Sequence, residues 1–194
     1  MRRRTLELFK SAGFLVLTLA ILALAPPVTI AEAMPVLKSG DKVLVEVKDS
    51  ATVFIGGQDF TYKRIKKGKR LKITDASGTD GVFLKRYGTK IRLRDLEGNF
   101  LHYVLKARKY YKVKLGDGTE LAYLKIEDGK VLVNNRETNT EFVVYPANGK
   151  IVFKDAGGNI AFVLEGETNP FPAAFLALEP LSPLERVALY LTYR

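Results

Sequence analysis

The 194-residue chain has no cysteine, no tryptophan and a single histidine, His102. Without cysteine there is no disulfide, no thiolate zinc site and no lipid-anchored cysteine, so a folded domain must hold together through a hydrophobic core. His102 stands alone, with too few partners for a transition-metal site and no serine or cysteine nucleophile motif beside it, so it reads as a structural histidine. Long apolar runs are missing too: the longest, Ala12 to Ala25, is about 14 residues where a spanning helix wants about 20. Acid is scarce in one stretch only. Residues 61–114 hold 17 basic and 4 acidic side chains, against 3 and 4 in residues 34–60 and 7 and 11 in residues 115–194. Such asymmetry bears on partners and fields rather than on fold.

The N-terminus has the parts of an export signal. Arg2, Arg3 and Arg4 precede the apolar run, Pro26 and Pro27 end it, and Ala31-Glu32-Ala33 supplies the small-x-small pattern that signal peptidases read. Residues 1–33 are therefore expected to be a signal peptide and residues 34–194 a single periplasmic or extracellular domain. In the alternative, the segment stays uncleaved through Val28 and Ile30 and anchors the same domain outside the membrane.

From Val36 to Leu164, apolar residues alternate at period two in short runs. Val43, Val45 and Val47 share one strand face, and Ile91-Arg92-Leu93-Arg94 and Tyr111-Lys112-Val113-Lys114 alternate cleanly. Gly56-Gly57, Asp117-Gly118, Asp128-Gly129 and Asn148-Gly149 tolerate the positive φ of hairpin turns. Three segments, beginning at Leu71, Ile91 and Ile151, repeat the order apolar-x-apolar-x-Asp-x-x-Gly, with Asp75, Asp95 and Asp155 followed by Gly78, Gly98 and Gly158. The class is all-β: an antiparallel meander of hairpins that closes into a barrel and so removes its edges. After Gly166 the period changes. Pro172 to Glu179 suits a short helix, apolar almost all round, and Ser182-Pro183-Leu184-Glu185 is a capping box opening a second one. This places a buried helix or helix pair over residues 172–193.

The stretch Leu71 to Leu105, with its order strand, Asp75 turn, Val82-Phe83-Leu84, Gly88-Thr89-Lys90, strand, Asp95 turn, strand, resembles the LURP-one pattern of the tubby-like barrel superfamily, which also includes phospholipid scramblases. The apolar segment Ala173 to Leu178 is similar to its terminal helix. The resemblance implies a closed barrel around a central hydrophobic helix, and some members of that superfamily bind membrane phosphoinositides through basic side chains.

The candidate site is a basic belt. Lys63, Arg64, Lys66, Lys67, Lys69, Arg70 and Lys72 surround Gly68 in what reads as a hairpin; Lys90, Arg92 and Arg94 share the polar face of one strand, and Lys112 and Lys114 that of another. Neighbouring hairpins could merge these faces into one anion-binding patch. Phe60, Tyr62, Tyr87, Phe100, Tyr103, Tyr110 and Tyr111 interleave with it, which would suit stacked nucleic acid were the chain not marked for export; strand and core packing is the plainer reading. The oxygen-rich segment Asp75 to Gly81 lacks calcium-loop spacing and reads as a turn. No catalytic group, metal ligand set or cofactor motif emerges, so the chain is not expected to be an enzyme. The expectation is an exported binding module docking on anionic lipid head groups or an envelope polymer; the alternative is an envelope assembly protein acting through protein contacts, its charge serving solubility. If the signal is read correctly, intact-mass measurement of protein recovered from the producing cell gives a chain beginning at Met34, and a full-length mass establishes the anchored form instead.

Overall fold

The structure, a computed structural model, describes residues 34–65 and 69–194. The signal segment and Lys66, Lys67 and Gly68 lie outside the described residues. The rest forms β1 (Val36–Ser39), β2 (Lys42–Val47), β3 (Thr52–Ile55), β4 (Gln58–Ile65), β5 (Arg70–Asp75), β6 (Gly81–Tyr87), β7 (Lys90–Arg94), β8 (Phe100–Ala107), β9 (Tyr110–Lys114), β10 (Glu120–Glu127), β11 (Lys130–Asn135), β12 (Thr140–Ala147), β13 (Lys150–Asp155) and β14 (Ile160–Glu165). Each strand pairs antiparallel with its sequence neighbours, and β1 closes on β14 through Val36↔Glu165, Leu37↔Leu164 and Lys38↔Val163. Closure leaves no unpaired edge among the described strands.

Odd-to-even turns gather at one end of the barrel and even-to-odd turns at the other. The first end collects the repeated aspartates. Asp75, Asp95 and Asp155 each turn a side-chain Oδ1 onto a backbone N–H four residues on, at 3.0, 2.7 and 2.8 Å. Gly98 sits at φ 92°, where a Cβ would be strained, so the recurrent Asp-x-x-Gly is the chemistry of this one turn. The opposite end uses tighter turns, such as Asp128-Gly129 and Asn148-Gly149, with both residues at positive φ.

Alternation aims Val47, Ile73, Leu84, Leu93, Val113, Leu124 and Phe153 into the lumen, where each is fully buried. A ring of eight strands is filled by its own side chains, but fourteen leave a hollow that needs more. The C-terminal segment supplies it. Helix α1 (Pro170–Ala174) and a 3-10 turn (Phe175–Ala177) descend from the tight-turn end, and α2 (Pro183–Tyr193) returns. Helix α1 starts two residues before the expected Pro172 because Asn169 accepts a hydrogen bond from Phe171 N–H and caps it there. The Ser182–Glu185 capping box opens α2 as its sequence implies. Ala173 to Leu178 and Val187 to Leu191 are buried all round. Phe175 and Tyr193 stack at 4.8 Å between centroids, and Tyr111 packs against Phe171 at 4.7 Å.

Polar groups of the helical hairpin find partners on the barrel wall. Asn135 Nδ2 donates to Ala177 O at 3.0 Å, Thr138 and Thr140 donate to the Glu179 carboxylate, and Arg64 Nη2 donates to Leu191 O at 2.7 Å. If the hairpin is the core, Phe175→Ala should cost about 3–5 kcal/mol in denaturant unfolding, while Phe100→Ala on the outer wall should stay within about 0.5 kcal/mol. Equal losses would show a loosely filled lumen.

Candidate anion-binding face

Cross-strand register decides which cations meet. On the outer wall Lys63 faces Lys72, and Lys72, Phe83, Arg94 and Phe100 follow one another across β5 to β8. A second row runs Arg70, Lys85, Arg92, Tyr103, Lys114, and a third Tyr87, Lys90, Leu105, Lys112, Tyr123. The predicted faces on β4–β5, β7 and β9 are thus joined into one tract over β4 to β9, with Lys69 exposed in the adjoining turn. Lys85 is not among the cations expected from the sequence, yet it joins the tract. With Val82 and Leu84 buried, the alternation itself puts Phe83 and Lys85 outside.

Arg64 does not belong to this tract. It shares its strand face with buried Phe60 and half-buried Tyr62, so its guanidinium turns to the barrel end and caps the C-terminus of α2, where a cation and donor are favourable. Lys66 and Lys67, as noted, fall outside the described residues.

The tract is under electrostatic load. Lys63 and Lys72, Arg70 and Lys85, and Lys85 and Arg92 are directly opposed like charges, each pair costing about 0.2–1 kcal/mol. Among the described residues, no acid stands within ion-pairing distance of these five, or of Lys90, Arg94 or Lys114. Aromatic rings take the place of acids. Lys90 Nζ lies 3.7 Å from the centre of Tyr103, and Tyr87 has Lys85 at 4.4 Å and Arg92 at 5.2 Å. The Tyr87 phenol feels the field: Lys85 at hydrogen-bonding range, reinforced by Arg92 and Arg94, holds its pKa below the ordinary tyrosine value. The protein's own cations occupy these rings, so the tract is not a set of bare platforms for stacking bases. Phe60 and Tyr111 are buried in the core, as plain strand packing anticipates.

Elsewhere on the wall charges are matched. Glu165 bridges Lys38 at 2.8 Å and Lys150 at 2.7 Å across the closing seam, and hydrogen bonds from Lys150 and Lys38 pull its pKa down to about 2. At the borders of the tract pairing returns: Lys112, on its third row, and Arg136 share Glu120, so Lys112 is not a free cation, and Asp59 on β4 pairs with Lys48. The outer side of β11 to β14 is different again: Leu132 faces Val143, and Tyr145, Val152 and Val163 line up. An apolar lumen within a wall this charged is the reverse of a membrane-spanning barrel.

Remaining candidates have structural occupations. His102 Nδ1 meets a Glu185 carboxylate oxygen at 2.6 Å, tying β8 to the start of α2. Burial alone would raise the Glu185 pKa, but the His102 contact and the Ser182 N–H outweigh it and leave it below the ordinary value. The oxygens of Asp75 are engaged by Ser77, Thr79 and Asp80 within their turn. Gly116 to Gly118 joins two strands.

Comparison with known protein families, curated proteins and solved structures finds no match to this chain. The electrostatic load has a measurable consequence. Raising sodium chloride from about 0.1 to about 1 M shortens the screening length from roughly 10 to roughly 3 Å, so repulsion in the tract should fade and the thermal midpoint rise. Replacing Lys85 and Arg92 by Gln should remove most of that rise. A parent whose midpoint falls with salt would mean that its cations are already neutralised internally.

Proposed function

We propose that this chain is an exported, non-catalytic binding module that docks through the outer wall of β4 to β9 on an anionic surface, lipid head groups or an envelope polymer. One observation carries the reading: over β4 to β7, like-charged side chains face each other across strand after strand without acidic partners among the described residues. A wall that needed only solubility would intersperse both signs, as the rest of this barrel does. Opposed cations held in register by rings and strands are instead pre-organised for an external anion, whose arrival relieves the repulsion. The export half of the reading rests on the N-terminal sequence.

Kinship with tubby-like proteins is proposed on the same footing. It is supported by the closed antiparallel ring and by the apolar C-terminal helices inside it. That kinship favours lipid head groups as the anionic surface.

A second reading, assembly with another envelope protein, draws on the apolar outer row Tyr145, Val152 and Val163 on the far side of the ring. The two separate on vesicles. Each lysine or arginine near an anionic bilayer contributes about 1 kcal/mol, so replacing Arg70, Lys85 and Arg92 by Gln should weaken co-sedimentation with phosphatidylserine vesicles roughly a hundredfold. Unchanged co-sedimentation at low salt overturns lipid docking. If an anionic glycan loses affinity instead, the polymer is the surface; if neither responds, the assembly reading stands ahead.

A further inference from the structure

At the Asp-turn end, between α2 and strands β1 to β3, lies a cavity of about 170 Å³. Its wall is apolar, formed by Leu37, Val45, Ile55, Phe162 and Val187 among others, with Arg186 as its one charged residue. Arg186 Nε donates to Leu181 O at 2.8 Å and Nη2 donates to Glu179 O at 3.1 Å. These two bonds use one edge of the guanidinium plane and fix its orientation. The other edge, Nη1 with the second proton of Nη2, has no acceptor among the described residues, and no carboxylate lies within ion-pairing distance.

The acids whose charges act on Arg186 are committed elsewhere. Glu179 accepts from the Thr138 and Thr140 hydroxyls, and Glu185 holds His102 and the Ser182 N–H. Burial pulls the Arg186 pKa below its usual value, against the pull of Glu179 and Glu185. Arginine nevertheless stays protonated, so a half-buried cation presents a vacant two-donor edge beside an apolar hollow.

The geometry points to a binding site for a small amphipathic carboxylate, its two oxygens on the free edge of Arg186 and its apolar tail in the cavity. A planar fork suits a carboxylate bidentately, and among the described residues this is the one cation on the wall, so an oxyanion needing several donors would be poorly served. Size sets the tail. The hollow is of the same order as an apolar cavity of about 150 Å³ that accepts benzene, which corresponds to about six carbons. The site is distinct from the outer basic tract and does not depend on it.

Titration calorimetry on the purified full-length protein with hexanoate, 1-hexanol and hexylamine tests the assignment. Hexanoate should bind saturably and about tenfold more tightly than 1-hexanol, with hexylamine excluded. Arg186→Met should erase the preference for hexanoate over 1-hexanol, and Arg186→Lys, which keeps charge but loses the fork, should weaken it. The ligand comparison on the parent protein decides the matter even if a variant does not fold. Equal affinity for hexanoate and 1-hexanol, or no saturable hexanoate binding, overturns the proposal. The triple Gln variant of the outer tract should bind hexanoate like the parent, so failure of one site leaves the other standing.

Discussion

A ring of fourteen strands must be filled, and nearly everything else follows from that. Side chains from the wall cannot meet across so wide a lumen, so the chain folds its own C-terminus into the hole. Bringing helices into an apolar interior in turn obliges the wall to supply polar partners at each helix end. Arg64, Asn135, Thr138 and Thr140 are those partners, and His102 reaches Glu185 at the opening of α2 for the same reason. Arg64, which a linear reading assigns to the basic belt, is thus part of the fitting of the plug, as are His102 and Asn135.

Because the interior is filled from within, the outer wall is free of structural duty over much of its circumference. It is used unevenly. Around the closing seam, acids and bases alternate and hold neighbouring strands, as Glu165 does between β1 and β13. Among the facing cations of β4 to β7 no acid is paired and tyrosines stand in, so these strands carry like charges at a cost the core must offset. That cost, confined to one sector while the rest of the wall avoids it, is the observation on which the proposed docking to an anionic surface rests.

Much of this was legible in the chain. Period-two alternation gave the strands, Asp-x-x-Gly gave the turns, and the Ser182 capping box gave α2 with its true start, because each signal is local. The first helix was displaced by two residues because the asparagine cap outweighed the proline as a start signal. Arg64 was misassigned for a different reason: a dense basic run hides which of its members fall on the inner face, although Phe60 and Tyr62, four and two residues earlier, mark the phase. Strand number and the closing register Val36↔Glu165 were not readable, since they depend on pairing between opposite ends of the chain. The cavity at Arg186 is a void between elements, and no local pattern encodes a void.

The position of the plug in the sequence constrains how the molecule can form. Its closing strand and its core filler both come after Ile160, and Lys38 meets Glu165 across 127 residues. Thirteen strands can therefore emerge from the ribosome with their apolar faces looking into an empty lumen and an edge still open, a state that is slow to resolve and prone to association. Ala173 to Leu178 begin to fill that lumen, and the filling is complete only when α2 turns back and Leu191 reaches Arg64. Closure of the first strands thus depends on partners made more than a hundred residues later.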